Sequence, residues 1–535
     1  MKRFLTIAFV SVLLMALNTL VYSQHDDHED QVKTEDTLHQ DSSDEVHAVH
    51  ADAEHTQAIE EQHGEAHIES DHGNAEHHAP HLDGRGLSLW WIIPFLGILL
   101  SIAVFPLVAP HFWHHHYGKV SFFWGASFFI MFTIFKGINM SGFYLAEVYL
   151  GEFIPFIVLL LALFTIGGGI RLKGELIGTP KLNLMLILIG TILASWMGTT
   201  GAAMLLIRPV IRANAWRNNQ KHVIIFFIFL VANIGGSLTP LGDPPLFLGF
   251  LKGVSFFWTT KHMFMPMLFV SVILLGIFFL LDTYFYRKET NKPVKVEGGE
   301  KLGLEGTSNF ILLIGVIAAV IFSGVWHSDI SNPEDWGIVM WGTGLMTKGT
   351  IVQVSVLLIL VFVSLKITPE SARKGNDFTW EPIKEVAKLF ATIFITMVPP
   401  IAMLKAGSEG PLSAIINAVR TPDGEFVNSA FFWATGALSS FLDNAPTYVV
   451  FFNTALGENL NVNDLMTTFA PTLLAISAGA VFMGSMTYIG NAPNFMVKSI
   501  AEENKIKMPS FFGYMAWSIA ILVPTFILAT FIFFR

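Results

Sequence analysis

The chain has 535 residues, 52% of them hydrophobic and only 14% charged, with a mean hydropathy of +0.54. A soluble protein of this length needs a far more charged surface, so the composition excludes that class and fits a polytopic helical membrane protein. There is no cysteine, which excludes disulfides and thiolate metal sites, and the net charge of −10 arises in one segment near the start.

Residues 1–23 read as a secretory signal peptide. Lys2 and Arg3 form the positive end, Phe4 to Leu20 the apolar core, and Val21-Tyr22-Ser23 the cleavage region. An uncleaved anchor helix is the rival reading, although the stretch is short for one. Residues 24–85 are a different material. They hold 12 of the 19 histidines and 18 of the 42 acids, no aromatic residue, and only Lys33 and Arg85 as basic residues. Such a segment buries too little apolar area to offset its chain entropy, so disorder is expected. Its histidines can hold Zn²⁺, Ni²⁺ or Cu²⁺ loosely, but no fixed ligand spacing is visible, and a plain acidic tail is the alternative.

From Leu87 the apolar runs fall into two similar series. The first has spans near 87–108, 120–136 and 152–172. A segment at 180–211 follows, broken at Gly198-Thr199-Thr200-Gly201. Next come 222–254, broken at Thr239-Pro240-Leu241-Gly242-Asp243-Pro244-Pro245, and a span near 263–283. A basic linker, 284–308, leads to the second series. It has spans near 309–327, 350–367 and 384–404, a segment at 429–457 broken at Asp443-Asn444-Ala445-Pro446-Thr447, a run at 466–502 broken at Gly490-Asn491-Ala492-Pro493, and a last span near 512–533.

The two series match residue by residue. Ser237 to Pro245 aligns with Ser485 to Pro493 at an offset of 248, and Ser195-Trp196-Met197-Gly198 aligns with Ser440-Phe441-Leu442-Asp443 at an offset of 245. Paired interrupted segments in two halves of a membrane chain point to a transporter's binding site. Charge gives the topology. If 180–211 and 429–457 are hairpins that enter and leave on one side, twenty-one basic residues fall in cytoplasmic loops and nine on the mature outside. Each half then crosses five times, which makes the repeats inverted. Counting both hairpins as full crossings gives parallel six-span repeats and a weaker charge bias. The expected fold is thus an all-α polytopic membrane protein of two inverted five-span repeats, 86–283 and 309–535, each with a re-entrant hairpin and a broken helix. The expected location is a bacterial inner (plasma) membrane, with the tail periplasmic.

Four broken segments should converge near the midplane. Their tips carry Thr199 and Thr200; Thr239 and Asp243; Asp443, Asn444 and Thr447; and Ser485, Thr487 and Asn491. Hydroxyl, amide and carboxylate oxygens suit a hard cation such as Na⁺, and half-helix C-termini add negative dipole ends. A carboxylate at membrane depth is costly, and its default reading is functional. One aspartate can hold H⁺ or Na⁺ but poorly both, and that competition is the minimal mechanism of exchange. The plain alternatives are a helix N-cap for Asp443, with Pro446 in the first turn, and a turn-forming Gly-Asp-Pro for Asp243. His114, His115 and His116 read as a cytoplasmic loop cluster, and Glu147 and Glu152 as flanking a periplasmic loop. No P-loop, GxSxG or HExxH occurs, so hydrolysis and primary pumping have no support.

At Ser-x-x-Asp-Asn-x-Pro-Thr (440–447) and Thr-Pro-Leu-Gly-Asp-Pro-Pro (239–245) the chain resembles the ion transporter superfamily over about 90–533. That superfamily includes NhaD-type Na⁺/H⁺ antiporters, citrate and dicarboxylate carriers and arsenite permeases. The resemblance implies a homodimer embedded in membrane lipid, with a transport domain moving as an elevator against a scaffold. It implies no cofactor and no nucleic-acid partner. The carboxylate carriers of that family show neutral Ser-Asn-Thr at both hairpin tips, whereas the tips here read Gly-Thr-Thr and Asp-Asn-Ala-Pro-Thr. The first reading is therefore an antiporter of Na⁺ (or Li⁺) and H⁺, both of them transported ions. The second is a citrate or dicarboxylate symporter driven by Na⁺ or H⁺. A periplasmic metal-binding protein with a membrane anchor is a third, but it has far too many spans for an anchor.

Overall fold

The computed structural model describes residues 79–290, 293, 301–326 and 336–535. The expected signal peptide and all of the His-rich segment before residue 79 lie outside the described residues. The first half runs α1 (Ile93–Val108), α2 (Pro110–Lys136), α3 (Ile138–Ala146), a π-helical turn (Glu147–Phe153) and α4 (Ile154–Gly167). A hairpin of α5 (Pro180–Met197) and α6 (Thr199–Asn214) follows. The broken segment is α7 (Lys221–Leu230), a 3₁₀ turn (Ile234–Leu238) and α8 (Pro244–Leu251), and α9 (Phe256–Lys288) closes the half. The second half repeats the order. It has α10 (Ser308–Trp326), α11 (Lys348–Ile367) and the bent pair α12 (Glu381–Thr396) and α13 (Val398–Lys405). The hairpin is α14 (Asn428–Leu442) and α15 (Asn444–Leu456). The broken segment is α16 (Ala470–Met483), a 3₁₀ turn (Gly484–Met486) and α17 (Ala492–Glu503), and α18 (Phe511–Phe533) ends the chain.

Nine helices among the described residues are long and apolar enough to cross a membrane, or ten if the bent α12–α13 pair is one span. The architecture is all-α and polytopic. Sheet is confined to two short antiparallel pairs among the described residues. β1 (Arg171–Lys173) joins β2 (Gly303–Glu305), with Arg171 opposite Glu305, and so ties the end of α4 to the start of the second half. Although Glu305 loses some hydration there, bonds from Lys173 and Arg171 hold its carboxyl below the ordinary value. β3 (Trp336–Met340) and β4 (Thr343–Thr347) form a hairpin ahead of α11.

The helices sort into two packing groups. α1 packs on α2, α2 on α12, α10 on α11 and α11 on α4. In the other group α5 packs on α6, α14 on α16, and α9 on the 3₁₀ turn 234–238. The second arm of each hairpin packs on the broken segment of the opposite half, α6 on α17 and α15 on α8. α7 is buried from His222 to Leu230, whereas α2 turns Phe122, Phe123, Ile134 and Phe135 outward. That is the pattern of a lipid-facing helix at the rim and a protein-facing helix at the centre.

Two sequence expectations need correcting. His114, His115 and His116 are not in a loop. They lie in the first turns of α2, which starts at Pro110, and the Nδ1 atoms of His115 and His116 bond to carbonyls four residues back. Glu147 and Glu152 do not flank a loop either. Both sit in the π-helical turn of one continuous segment, where Glu152 pairs with Lys252 at 2.8 Å. A π-turn offsets the side chains by one position, so Glu152 reaches Lys252 without a break in the helix.

Candidate functional site

Each hairpin turns on one residue in an unusual conformation. Gly198 has φ 78° and ψ 149°, and Asp443 has φ 75° and ψ 142°. The two halves therefore share this turn geometry although one uses glycine. Glycine reaches this region freely. An aspartate there is strained by about 1–3 kcal/mol, which is the kind of cost retained at functional positions. The Asp443 carboxylate accepts a bond from the Ala445 amide at 3.3 Å, so it also caps α15.

The broken segments repeat at the level of single hydrogen bonds. Thr239 Oγ1 donates to the Ser195 carbonyl, and Thr487 Oγ1 to the Ser440 carbonyl. Ser195 Oγ donates to Gly235 O and Ser440 Oγ to Met483 O, at the same offsets of 245 and 248. Ser485 Oγ bonds to the Phe482 carbonyl and Thr447 Oγ1 to that of Asp443 at 2.8 Å. A Cβ added to Gly242 would strike the backbone of Gly236, so the chain here needs glycine for close approach. Thr239, Thr447, Ser485 and Thr487 thus hold the backbone in place, and their side-chain protons are used within the fold.

Four of the ten candidate residues meet directly. Asp243, 1% exposed, accepts Thr199 Oγ1 at 3.2 Å and Asn491 Nδ2 at 2.9 Å on Oδ1, and Asn444 Nδ2 at 2.5 Å on Oδ2. Each element supplies one partner. Thr199 and Asn444 open the second arms of the hairpins, and Asp243 and Asn491 precede the second parts of the broken segments. Four helix N-termini therefore start at this cluster, and their dipoles favour negative charge there. Near the opposing ends of α5 and α14, the Ser195 and Ser440 carbonyls are taken by Thr239 and Thr487. The Asn444 Oδ1 atom is buried with no hydrogen-bond partner among the described residues.

Two cavities reach the cluster. Thr200, Thr199, Gly198 and Asp243 line a small one of about 80 Å³. Asp443 and Asn491 line a larger one of about 430 Å³ between the two packing groups. Its other charged residues are Arg208, Asp377, Glu381, Glu385 and Glu503. Arg208 Nε bonds to Asp377 at 3.0 Å, while its Nη1 is buried without a hydrogen-bond partner among the described residues. Trp113 Nε1 donates to Glu385 at 3.2 Å. Among the described residues no group of three His, Asp or Glu side chains is arranged to hold a metal ion.

Sequence reasoning found Asp443 but missed the other carboxylates of the larger cavity and two amides. Asn233 Nδ2 donates to Asn494 Oδ1 at 2.7 Å, and Asn233 Oδ1 accepts from Asn491 at 3.3 Å. Both asparagines interrupt buried apolar runs, which is the signal that would have found them. Glu381 and Glu385 stand at the start of a span, where acids are ordinary, so nothing local marked them.

A family model described as "Putative citrate transport" matches residues 84–534. No curated protein matches the chain. With a membrane-embedded pair of hairpins meeting a pair of broken segments, and this match over most of its length, the chain belongs to the citrate-transport family and is a membrane transporter.

Proposed function

We propose that the protein exchanges Na⁺ or Li⁺ for H⁺, with Asp443 carrying cation and proton in turn. The observation that carries this reading is the charge of the larger cavity. Among the described residues five carboxylates, Asp443 among them, line it with one basic residue, Arg208, whose Nε is already bonded to Asp377. A cavity of this sign concentrates cations and repels a tricarboxylate. The strained backbone at Asp443 supports a role beyond capping, since glycine forms the same turn in the first half. Asp243, Thr199, Asn444 and Asn491 form the second part of the site, and the unpartnered Asn444 Oδ1 is an oxygen suited to a hard cation. Thr239, Thr447, Ser485 and Thr487 shape the backbone around it, and Thr200 lines the small cavity beside it. Cation binding to Asp443 requires its proton to leave, so the two ions alternate without any covalent step.

A second reading, Na⁺- or H⁺-driven uptake of citrate or a dicarboxylate, is favoured by the family description and by four helix N-termini at the centre. The two separate cleanly. In energised inverted vesicles, added Na⁺ should dissipate the proton gradient if the first reading holds. Proteoliposomes that accumulate radiolabelled citrate, with no Na⁺-induced proton movement, would replace it by the second.

A further inference from the structure

A groove of about 730 Å³ runs on the outer face between α2, α3 and α12, away from the site. His115, Lys119 and Lys388 lie at one end, and Phe129, Ile130 and Leu145 at the other. We infer that it binds one anionic glycerophospholipid of the cytoplasmic leaflet. The phosphate would sit between Lys119 and Lys388, and an acyl chain would lie along α2.

Three observations carry this. The first is length. Eleven residues separate Lys119 from Ile130, about 16 Å at 1.5 Å per residue, which matches the roughly 15 Å hydrocarbon depth of one leaflet. The second is charge. Lys119 and Lys388 are exposed, and the positive-inside bias places both at the cytoplasmic surface, where anionic lipid collects. Lys388 Nζ stands 4.9 Å from the centre of the Tyr117 ring, at the same end. The third is the floor. α2 and α12 approach closely at Gly118 and Gly125, where an added Cβ would lie 3.2 Å from Lys388 Cδ and 3.1 Å from Thr392 Oγ1. The polar groups of the floor are already bonded to each other. Ser121 Oγ donates to the Lys388 carbonyl at 2.7 Å and lies 2.7 Å from Thr392 Oγ1, and Tyr149 OH donates to the Ala391 carbonyl at 3.0 Å. The floor therefore presents no unmet polar atom to a hydrocarbon chain, and the only strong polar attraction is at the lysine end.

Native mass spectrometry of the full chain, delipidated and then supplied with phosphatidylglycerol or phosphatidylethanolamine, tests the assignment. The unaltered protein should retain phosphatidylglycerol preferentially. Replacing both lysines (K119A with K388A) should lower that retention roughly tenfold or more, given about 1 kcal/mol per basic group near the surface. A126W should block the groove and reduce retention of both lipids while leaving the lysines in place. Equal retention by all three proteins overturns the proposal. So does conversion of a dimer to a monomer by A126W at unchanged lipid content, which would assign the groove to a second copy of the chain.

Discussion

At the residue scale the two aspartates are not equivalent. Asp443 combines a strained backbone with a weak cap, and the magnitudes predict how substitutions divide. Asp443→Gly removes about 1–3 kcal/mol of strain and loses only a few tenths from the cap, so it should stabilise the protein by about 1 kcal/mol. Asp443→Asn keeps both strain and cap and should leave stability near that of the parent. Both should abolish Na⁺-dependent proton release. Thermal unfolding in detergent, run beside the vesicle assay, checks this. An Asp443→Gly protein that still exchanges ions removes Asp443 from the mechanism. Asp243 accepts three donors, so Asp243→Asn places an NH₂ against one of them. A flip of Asn444 would present its unpartnered Oδ1 to that NH₂, so this variant should fold and lose transport. Asp243→Leu leaves the donors unmet and should cost about 1–3 kcal/mol for each donor left buried.

At the scale of elements, the base of the first hairpin rests on a buried ion pair. Arg217 bonds to Asp282 of α9, both side chains fully buried, and Asp282 also accepts His222 Nε2 at 2.8 Å and Asn183 Nδ2 at 3.0 Å. Removing one partner of such a pair strands a charge, so Arg217→Met should cost about 3–5 kcal/mol. Adding Asp282→Asn to it should recover most of that loss. A double variant no more stable than the single one would show that the guanidinium packs rather than pairs. This cluster was not legible in the sequence, because Arg217 counts there as one more basic loop residue and Asp282 as the end of a span. The hairpins and breaks were legible, because Gly, Pro, Asp and Asn interrupt apolar runs where backbone groups must find partners other than lipid. The matched offsets of 245 and 248 then reappear as matched hydrogen bonds at Ser195 and Ser440. The helix through His114–His116 was hidden because three consecutive polar residues read as a boundary, whereas Pro110 had already fixed the start of α2.

At the scale of the whole molecule, the two packing groups face each other across the larger cavity, and the Arg208–Asp377 pair bridges them at its edge. Arg208 belongs to α6 of the first hairpin, and Asp377 to the connection between α11 and α12. If transport needs the hairpins to move against the other group, this pair must part in every cycle. Asp377 is largely exposed, so the pair itself holds the groups together by no more than about 1 kcal/mol, and breaking it should not limit turnover. A covalent link at the same place should. The natural chain has no cysteine, so Arg208→Cys with Asp377→Cys gives two unique thiols. The double variant should exchange ions at close to the parent rate when untreated. A short cleavable bis-thiosulfonate reagent should stop exchange, and a reductant should restore it. Each single-cysteine variant controls for labelling alone. Full exchange by a protein shown by mass to be cross-linked would mean that the two groups stay fixed and that only the hairpin tips move. The movement would then be local to Gly198 and Asp443, the two turns that share one backbone conformation.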